Sequence, residues 1–213
     1  MIAIIIGATG ATGTALLEQL IIDDAFKKVI VFTRTPHKIT HNKVQENLVD
    51  FNNIEKWSKL IKGDVLFSAM GTTKKDAGSK SAQYLVDFTY QYNFARAGAE
   101  NEVQKYLLVS SVGANSSSKF FYPKIKGELE NAVKKLTFNN IHVFQPPVLI
   151  RQKDKIRGGE KSFISIISKL NKLGIFLSQK PMDVNILAAK MIDLSKKDVE
   201  QRISNHSAKN IFN

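Results

Sequence analysis

A chain of 213 residues, 43% hydrophobic and 23% charged, is sized and composed for one globular domain with its own core, expected to span residues 1–213. It has no cysteine, which excludes a disulfide framework and a thiolate metal site and fits a reducing cytoplasm. The formal charge of +12 raises the question of nucleic acid, but the excess is Lys with only five Arg, scattered in pairs such as Lys27-Lys28 and Lys134-Lys135, so a solvated basic surface is expected, with neither a nucleic acid nor a membrane as partner.

Residues 2–6 form a continuous apolar run, the pattern of a strand buried on both faces of a parallel sheet. The run is far too short to span a membrane, and neither a basic leader nor a cleavage site accompanies it. A glycine-rich turn at 7–13 leads into a helix over 14–22, followed by strands at 28–33 and about 44–49. A helix over 53–61 and a fourth strand at 64–69 come next, then a helix over 83–99 and a fifth strand at 105–110. A helix over 122–136 precedes a sixth strand at 141–144, stopped by Pro146-Pro147. From about Lys161 the pattern becomes two helices with a Pro-containing linker, and residues 151–213 are read as a small helical elaboration on the substrate side. Strands alternating with helices at this spacing predict an α/β fold built on a doubly wound parallel sheet.

The turn Gly7-Ala8-Thr9-Gly10-Ala11-Thr12-Gly13 joins the first strand to the first helix. Glycines in this place allow a tight turn, close approach of a pyrophosphate to the backbone and close helix–strand packing. The helix N-terminus then faces the phosphates. Gly7, Thr9, Gly10, Ala11, Thr12 and Gly13 are therefore candidate dinucleotide contacts. At the end of the second strand an acid would hold the ribose hydroxyls of NAD, whereas an Arg accommodates the extra phosphate of NADP. Arg34 stands there with no Asp or Glu between Val29 and His41, so NADP(H) is expected in preference to NAD(H).

Ser110-Ser111 ends the fifth strand, at the sheet edge where ligands of open α/β folds bind. Tyr122 and Lys126 follow at i and i+4, on one face of a helix that starts at Tyr122. An ammonium beside a phenol favours the phenolate, and such a Tyr can exchange a proton with a substrate oxygen while hydride moves at the nicotinamide. The four His lie far apart with no carboxylate at metal-ligand spacing, so no metal is expected. Trp57 and the Phe residues read as core.

The segments at 7–13, at 68–73 (Ser-Ala-Met-Gly-Thr-Thr), at 108–113 (Leu-Val-Ser-Ser-Val-Gly) and at 120–128 (Phe-Phe-Tyr-Pro-Lys-Ile-Lys-Gly-Glu) resemble atypical short-chain dehydrogenases of the Tat-interacting-protein oxidoreductase type and their bacterial relatives. The resemblance covers residues 1 to about 195 and implies a Rossmann-type NADPH-binding protein in which Tyr122 and Lys126 touch the cofactor. It further implies that Ser111, just before Val112-Gly113, is the catalytic serine. Ala69, Met70 and Gly71 would line the nucleotide cleft, Asp50 and Phe51 would lie beside the adenine, and Leu149 and Arg157 would close over the nicotinamide. Gln145 departs from the family, which usually has Arg before Pro146. Asn93 does not match the family's pattern and reads as a helix-surface residue. The function implied is an NADPH-dependent oxidoreductase with catalytic Ser111, Tyr122 and Lys126, acting on a small carbonyl-type substrate. The alternative is an NADP(H)-binding redox sensor with little turnover.

Overall fold

The structure is a computed structural model and describes residues 1–150 and 181–212. Its strands are β1 (Ile2–Ile6), β2 (Lys28–Thr33), β3 (Val44–Leu48), β4 (Val65–Ser68), β5 (Lys105–Val109), β6 (Asn140–Gln145), β7 (Leu149–Ile150), β8 (Met182–Asp183) and β9 (Ile203–Ser207). Seven of them make one parallel sheet in the order β3-β2-β1-β4-β5-β6-β9, and β7 pairs with β8 in a separate two-stranded ladder. The helices are α1 (Ala11–Ile22), α2 (Lys74–Ala77), α3 (Lys80–Tyr84), α4 (Tyr90–Glu100), α5 (Phe121–Val133), α6 (Val184–Ser195) and α7 (Ala208–Phe212).

The central strands are apolar at nearly every position because helices cover both faces. On one face Ala3, Ile5, Val29, Val31 and Phe67 pack under Leu16, Leu17 and Leu20 of α1 and Leu187 and Met191 of α6. On the other, Ile4, Ile6, Ile30, Phe32, Leu66 and Leu108 meet Phe94 of α4, Leu129 and Val133 of α5, and Trp57. Each such side chain contributes about 1.5–3 kcal/mol by leaving water.

From β1 the chain winds outward through β2 and β3, then returns to β4 and winds the opposite way. The strand order therefore reverses between β1 and β4, and a crevice opens beyond the carboxyl ends of those two strands. The doubly wound parallel sheet expected from sequence is present.

Three local expectations differ from what is found. The helix expected over 53–61 is instead two 3-10 turns, Phe51–Lys56 and Ser58–Leu60, with non-helical backbone at Asn53. The helix expected over 83–99 belongs to a longer helical run, α3 to α4, interrupted by a π turn at Leu85–Thr89. The C-terminal stretch read as helical also supplies β9, which extends the sheet beside β6 in register Val143↔Asn205. Arg157, and most of the segment read as the substrate-side elaboration, lie outside the described residues.

Candidate functional site

The glycine turn leaves β1 at Gly7, whose φ of +82° favours glycine. A Cβ at Gly7 would stand 2.6 Å from the backbone of Ala69 and Met70, and one at Gly13 would stand 2.0 Å from the Gly7 carbonyl oxygen. The two glycines thus press the turn against the β4 end and the helix against the strand. Gly10 caps α1 without a side chain, its N–H donating to Gly7 O at 2.9 Å, and no acidic residue occupies the first helical turn. Amide donors and the positive end of the helix are left facing the crevice, a ready anion site.

The crevice has two connected parts that share Gly10 and the Ala69–Met70–Gly71–Thr72 loop. The larger, about 470 Å³, is lined by Gly7, Thr9 and Gly10, by Thr33 at the end of β2 and Arg34 just after it, and by Phe51 and Tyr90. The smaller, about 130 Å³, is lined by Ala11 and Thr12, by Val109 and Ser110 at the end of β5, and by Tyr122, Lys126, Leu149 and Val184. Residues far apart in the chain are therefore brought into one groove. The bare helix end and the Gly10 backbone, which lines both chambers, fit a dinucleotide pyrophosphate, and Arg34 lines the larger chamber.

Tyr122 and Lys126 sit in the first turns of α5, held by a tight approach of that helix to the preceding loop. A Cβ at Gly127 would fall 2.2 Å from Ser116 N, and Asn115 N donates to Pro123 O at 2.9 Å. Tyr122 is 40% exposed, so its hydroxyl has access to a ligand, whereas Lys126 is 2% exposed. The Lys126 ammonium lies 5.9 Å from the Tyr122 ring centroid. Burial works against this charge, but the Tyr122 oxygen, then Asp87 and Glu130, outweigh burial and hold the ammonium above its ordinary value.

Not every expected residue faces the groove. Ser110 lines it, but its Oγ donates to Glu130 Oε1 at 2.5 Å. Ser111 is not among the lining residues, and its Oγ is buried without a partner among the described residues. Asp50 also stays out of the lining: its carboxylate accepts from Asn52 N at 2.9 Å and Asn53 Nδ2 at 2.6 Å, the Asn52 amide chiefly holding it below the usual carboxylate range. Gly13 serves packing and does not line the groove. Gln145, the departure from the family pattern, donates to both oxygens of Glu130, at 3.0 and 3.1 Å. A neutral amide there holds the same carboxylate that occupies Ser110.

Thr33, Thr72, Tyr90 and Val184 line the groove and were not anticipated. No local motif marks Tyr90; it reaches the cleft because α4 brings its ring to 5.6 Å from that of Phe51, centroid to centroid. Among the described residues no cluster of His and carboxylates is placed to hold a metal, and no helix is long and apolar enough to cross a membrane.

A parallel sheet in this order, with a glycine turn at the first helix and a groove across its switch point, defines a dinucleotide-binding protein of the doubly wound α/β class. The chain belongs to the family described as NAD(P)H-binding, which matches residues 7–139. It is 32% identical over 206 residues to Protein FMP52, mitochondrial, of Candida albicans, covering 93% of this chain and 90% of that protein. With Protein HTATIP2 of Rattus norvegicus it shares 34% identity over 160 residues, 73% of this chain and 66% of that one. The resemblance to atypical short-chain dehydrogenases is thereby borne out. Among solved structures, the Bordetella bronchiseptica enzyme WbmH in complex with NAD+ matches with a TM-score of 0.74 at 14% identity, covering 96% of this chain and 74% of that chain. The oxidoreductase ylbE from Lactococcus lactis matches at 0.67 and 17%, covering 100% and 95%. At these identities the two structures speak to the fold alone.

Proposed function

We propose that this chain is an NADP(H)-dependent oxidoreductase acting on a small carbonyl-type substrate. The observation that carries the reading is the shared groove, in which Tyr122 and Lys126 stand across the Ala69–Met70–Gly71 loop from the glycine turn. Gly7, Thr9, Gly10, Ala11 and Thr12 would hold the pyrophosphate, Arg34 the additional phosphate, and Phe51 the adenine. Bound NADP(H) supplies or accepts the hydride. Tyr122 gives a proton to, or takes it from, the substrate oxygen, and Lys126 stabilises the phenolate and steadies the nucleotide. The ribose and phosphate contacts fall to Arg34 rather than to an acid, which is why NADP(H) is preferred to NAD(H). Neither a nucleic acid nor a membrane enters this reading, and the cysteine-free chain is assigned to the cytoplasm. Since FMP52 relatives are named mitochondrial, fractionation of tagged protein decides the compartment.

One observation favours a second reading. The serine that lines the groove, Ser110, already gives its proton to Glu130, so it has none to offer a substrate oxygen. This suits an NADP(H)-binding sensor with little turnover. Titration with NADPH and with NADH, followed by nicotinamide fluorescence in wild type and Arg34→Ala, tests what both readings share. Preferential NADPH binding that Arg34→Ala abolishes supports them, and absence of binding to either nucleotide defeats both. Turnover of a panel of small aldehydes and ketones, lost in Tyr122→Phe, then separates enzyme from sensor. The loss expected is at least about 100-fold.

A further inference from the structure

Asp87 is fully buried beside Lys126. The π turn at Leu85–Thr89 carries it there. Such a turn inserts a residue into a helix, shifts the phase of the residues beyond it, and is frequent at functional sites. Gln83, Asp87 and Gln91 consequently form a buried polar stripe. Buried polar groups are costly unless partnered.

Most of their partners are structural. Gln83 Nε2 donates to Thr72 O at 3.4 Å, and Thr72 N donates to Asp87 Oδ2 at 3.3 Å. Gln91 Nε2 donates to the Asp87 carbonyl oxygen at 3.0 Å, while Ser68 Oγ donates to Gln91 Oε1 at 2.9 Å. Asp87 Oδ1 differs from all of these. No amide or hydroxyl donates to it among the described residues, and its partner is the Lys126 ammonium at 3.3 Å. Gly71 keeps this corner open, since a Cβ there would stand 3.3 Å from Oδ1.

We propose that Asp87 is the positioning residue of the site: Oδ1 fixes the Lys126 ammonium beside Tyr122 and the nucleotide groove, while Oδ2 ties down the Thr72 loop that lines the same groove. The inference rests on the reading of Tyr122 and Lys126 as the acid–base pair. An ammonium on a four-carbon stem has many rotamers and a strong tendency to reach water. A carboxylate fixed at its own backbone and at Thr72 restrains both. The ionisable groups facing Lys126 are Tyr122 and Glu130 on its own helix and Asp87 on the neighbouring run. Glu130 is already engaged by Ser110, Gln145 and the Lys134 ammonium at 3.6 Å. Asp87 is the carboxylate with an oxygen to spare.

The near-isosteric Asp87→Asn keeps an oxygen for Thr72 N and removes the charge facing Lys126. Heteronuclear NMR of the lysine ammonium groups follows Lys126 against pH in wild type and variant, its resonance being assigned by its absence from Lys126→Arg. The Lys126 signal should shift and be lost at lower pH in Asp87→Asn than in wild type. Identical position and titration in the two proteins overturns the proposal and leaves Asp87 as an anchor for the loop. If Asp87→Asn does not fold, the double variant Asp87→Asn/Lys126→Met decides. A folded double variant supports the pair, because removing both charges relieves what removing one creates, and an unfolded one overturns it. NADPH titration of the same samples keeps the two claims apart. A shifted Lys126 in a protein that binds no NADPH leaves the ion pair standing and removes the oxidoreductase reading.

Discussion

Two glycines three residues apart in the same turn carry different loads. Gly13 has no room for a Cβ, because the Gly7 carbonyl oxygen would stand 2.0 Å away and is itself fixed by the Gly10 N–H. At Gly10 the nearest atom to a Cβ is that same oxygen at 3.3 Å, a contact relieved by a few tenths of an ångström. Gly13→Ala is therefore expected to destabilise the fold by roughly 3 kcal/mol or more through a forced separation of α1 from β1. Gly10→Ala should unfold within about 1 kcal/mol of wild type. Gly10 lines both parts of the groove, however, so its methyl group would stand where a pyrophosphate must approach backbone. NADPH affinity should fall by about tenfold or more, roughly 1.4 kcal/mol. Thermal unfolding and fluorescence titration of the two variants should thus give opposite rankings. Equal damage to stability in both would mean that the turn is only a packing device.

At the scale of elements, the edge pair β6–β9 holds an acid-sensitive joint. His142 Nδ1 and His206 Nε2 lie 3.0 Å apart, and His206 stacks on Phe144 with ring centroids 4.6 Å apart. Burial, then His206 and Lys105, push the His142 imidazole down to about 4. Burial, then Lys190, pushes His206 down as well. The unfolded chain therefore takes up protons below about pH 6.5 that the folded chain refuses, and stability must fall as pH drops from there toward 4. For His142 the loss is on the order of 3 kcal/mol. The thermal midpoint should decline between about pH 7 and pH 5, and His142→Gln should flatten that decline. A midpoint with the same slope in both proteins would falsify the assignment. This joint was illegible in the sequence, since Ile203-Ser204-Asn205-His206-Ser207 has the composition of a loop and becomes a strand only by pairing with β6. The central strands were legible because burial on both faces writes itself as an unbroken apolar run. The glycine turn, Arg34, Tyr122 and Lys126 were legible because their chemistry is local. Asp87 and the Ser110–Glu130–Gln145 contacts were not: the first depends on a π turn that breaks the helical period, and the second on α5 packing against the ends of β5 and β6.

For the whole molecule, the net charge of +12 would act on the same anionic dinucleotide that the groove is proposed to bind. A dinucleotide that binds only the folded chain stabilises it by mass action, about 2.7 kcal/mol at a concentration a hundredfold above Kd. For a chain of this size that corresponds to a rise of roughly 5–10 °C in Tm. If the proposed role of Arg34 holds, NADPH at equal, sub-saturating concentration should raise Tm more than NADH, because its additional phosphate would meet Arg34 and a positive field. Salt then separates those two contributions. At about 1 M ionic strength the Debye length shrinks to about 3 Å, which removes the long-range field of scattered lysines and leaves contact pairs at the groove. An NADPH preference that shrinks with salt yet survives it assigns the remainder to Arg34, and Arg34→Ala should erase that remainder. A preference that vanishes with salt in wild type would make selectivity a property of the lysine-rich surface, and the residue at the end of β2 would then have no special part in choosing the cofactor.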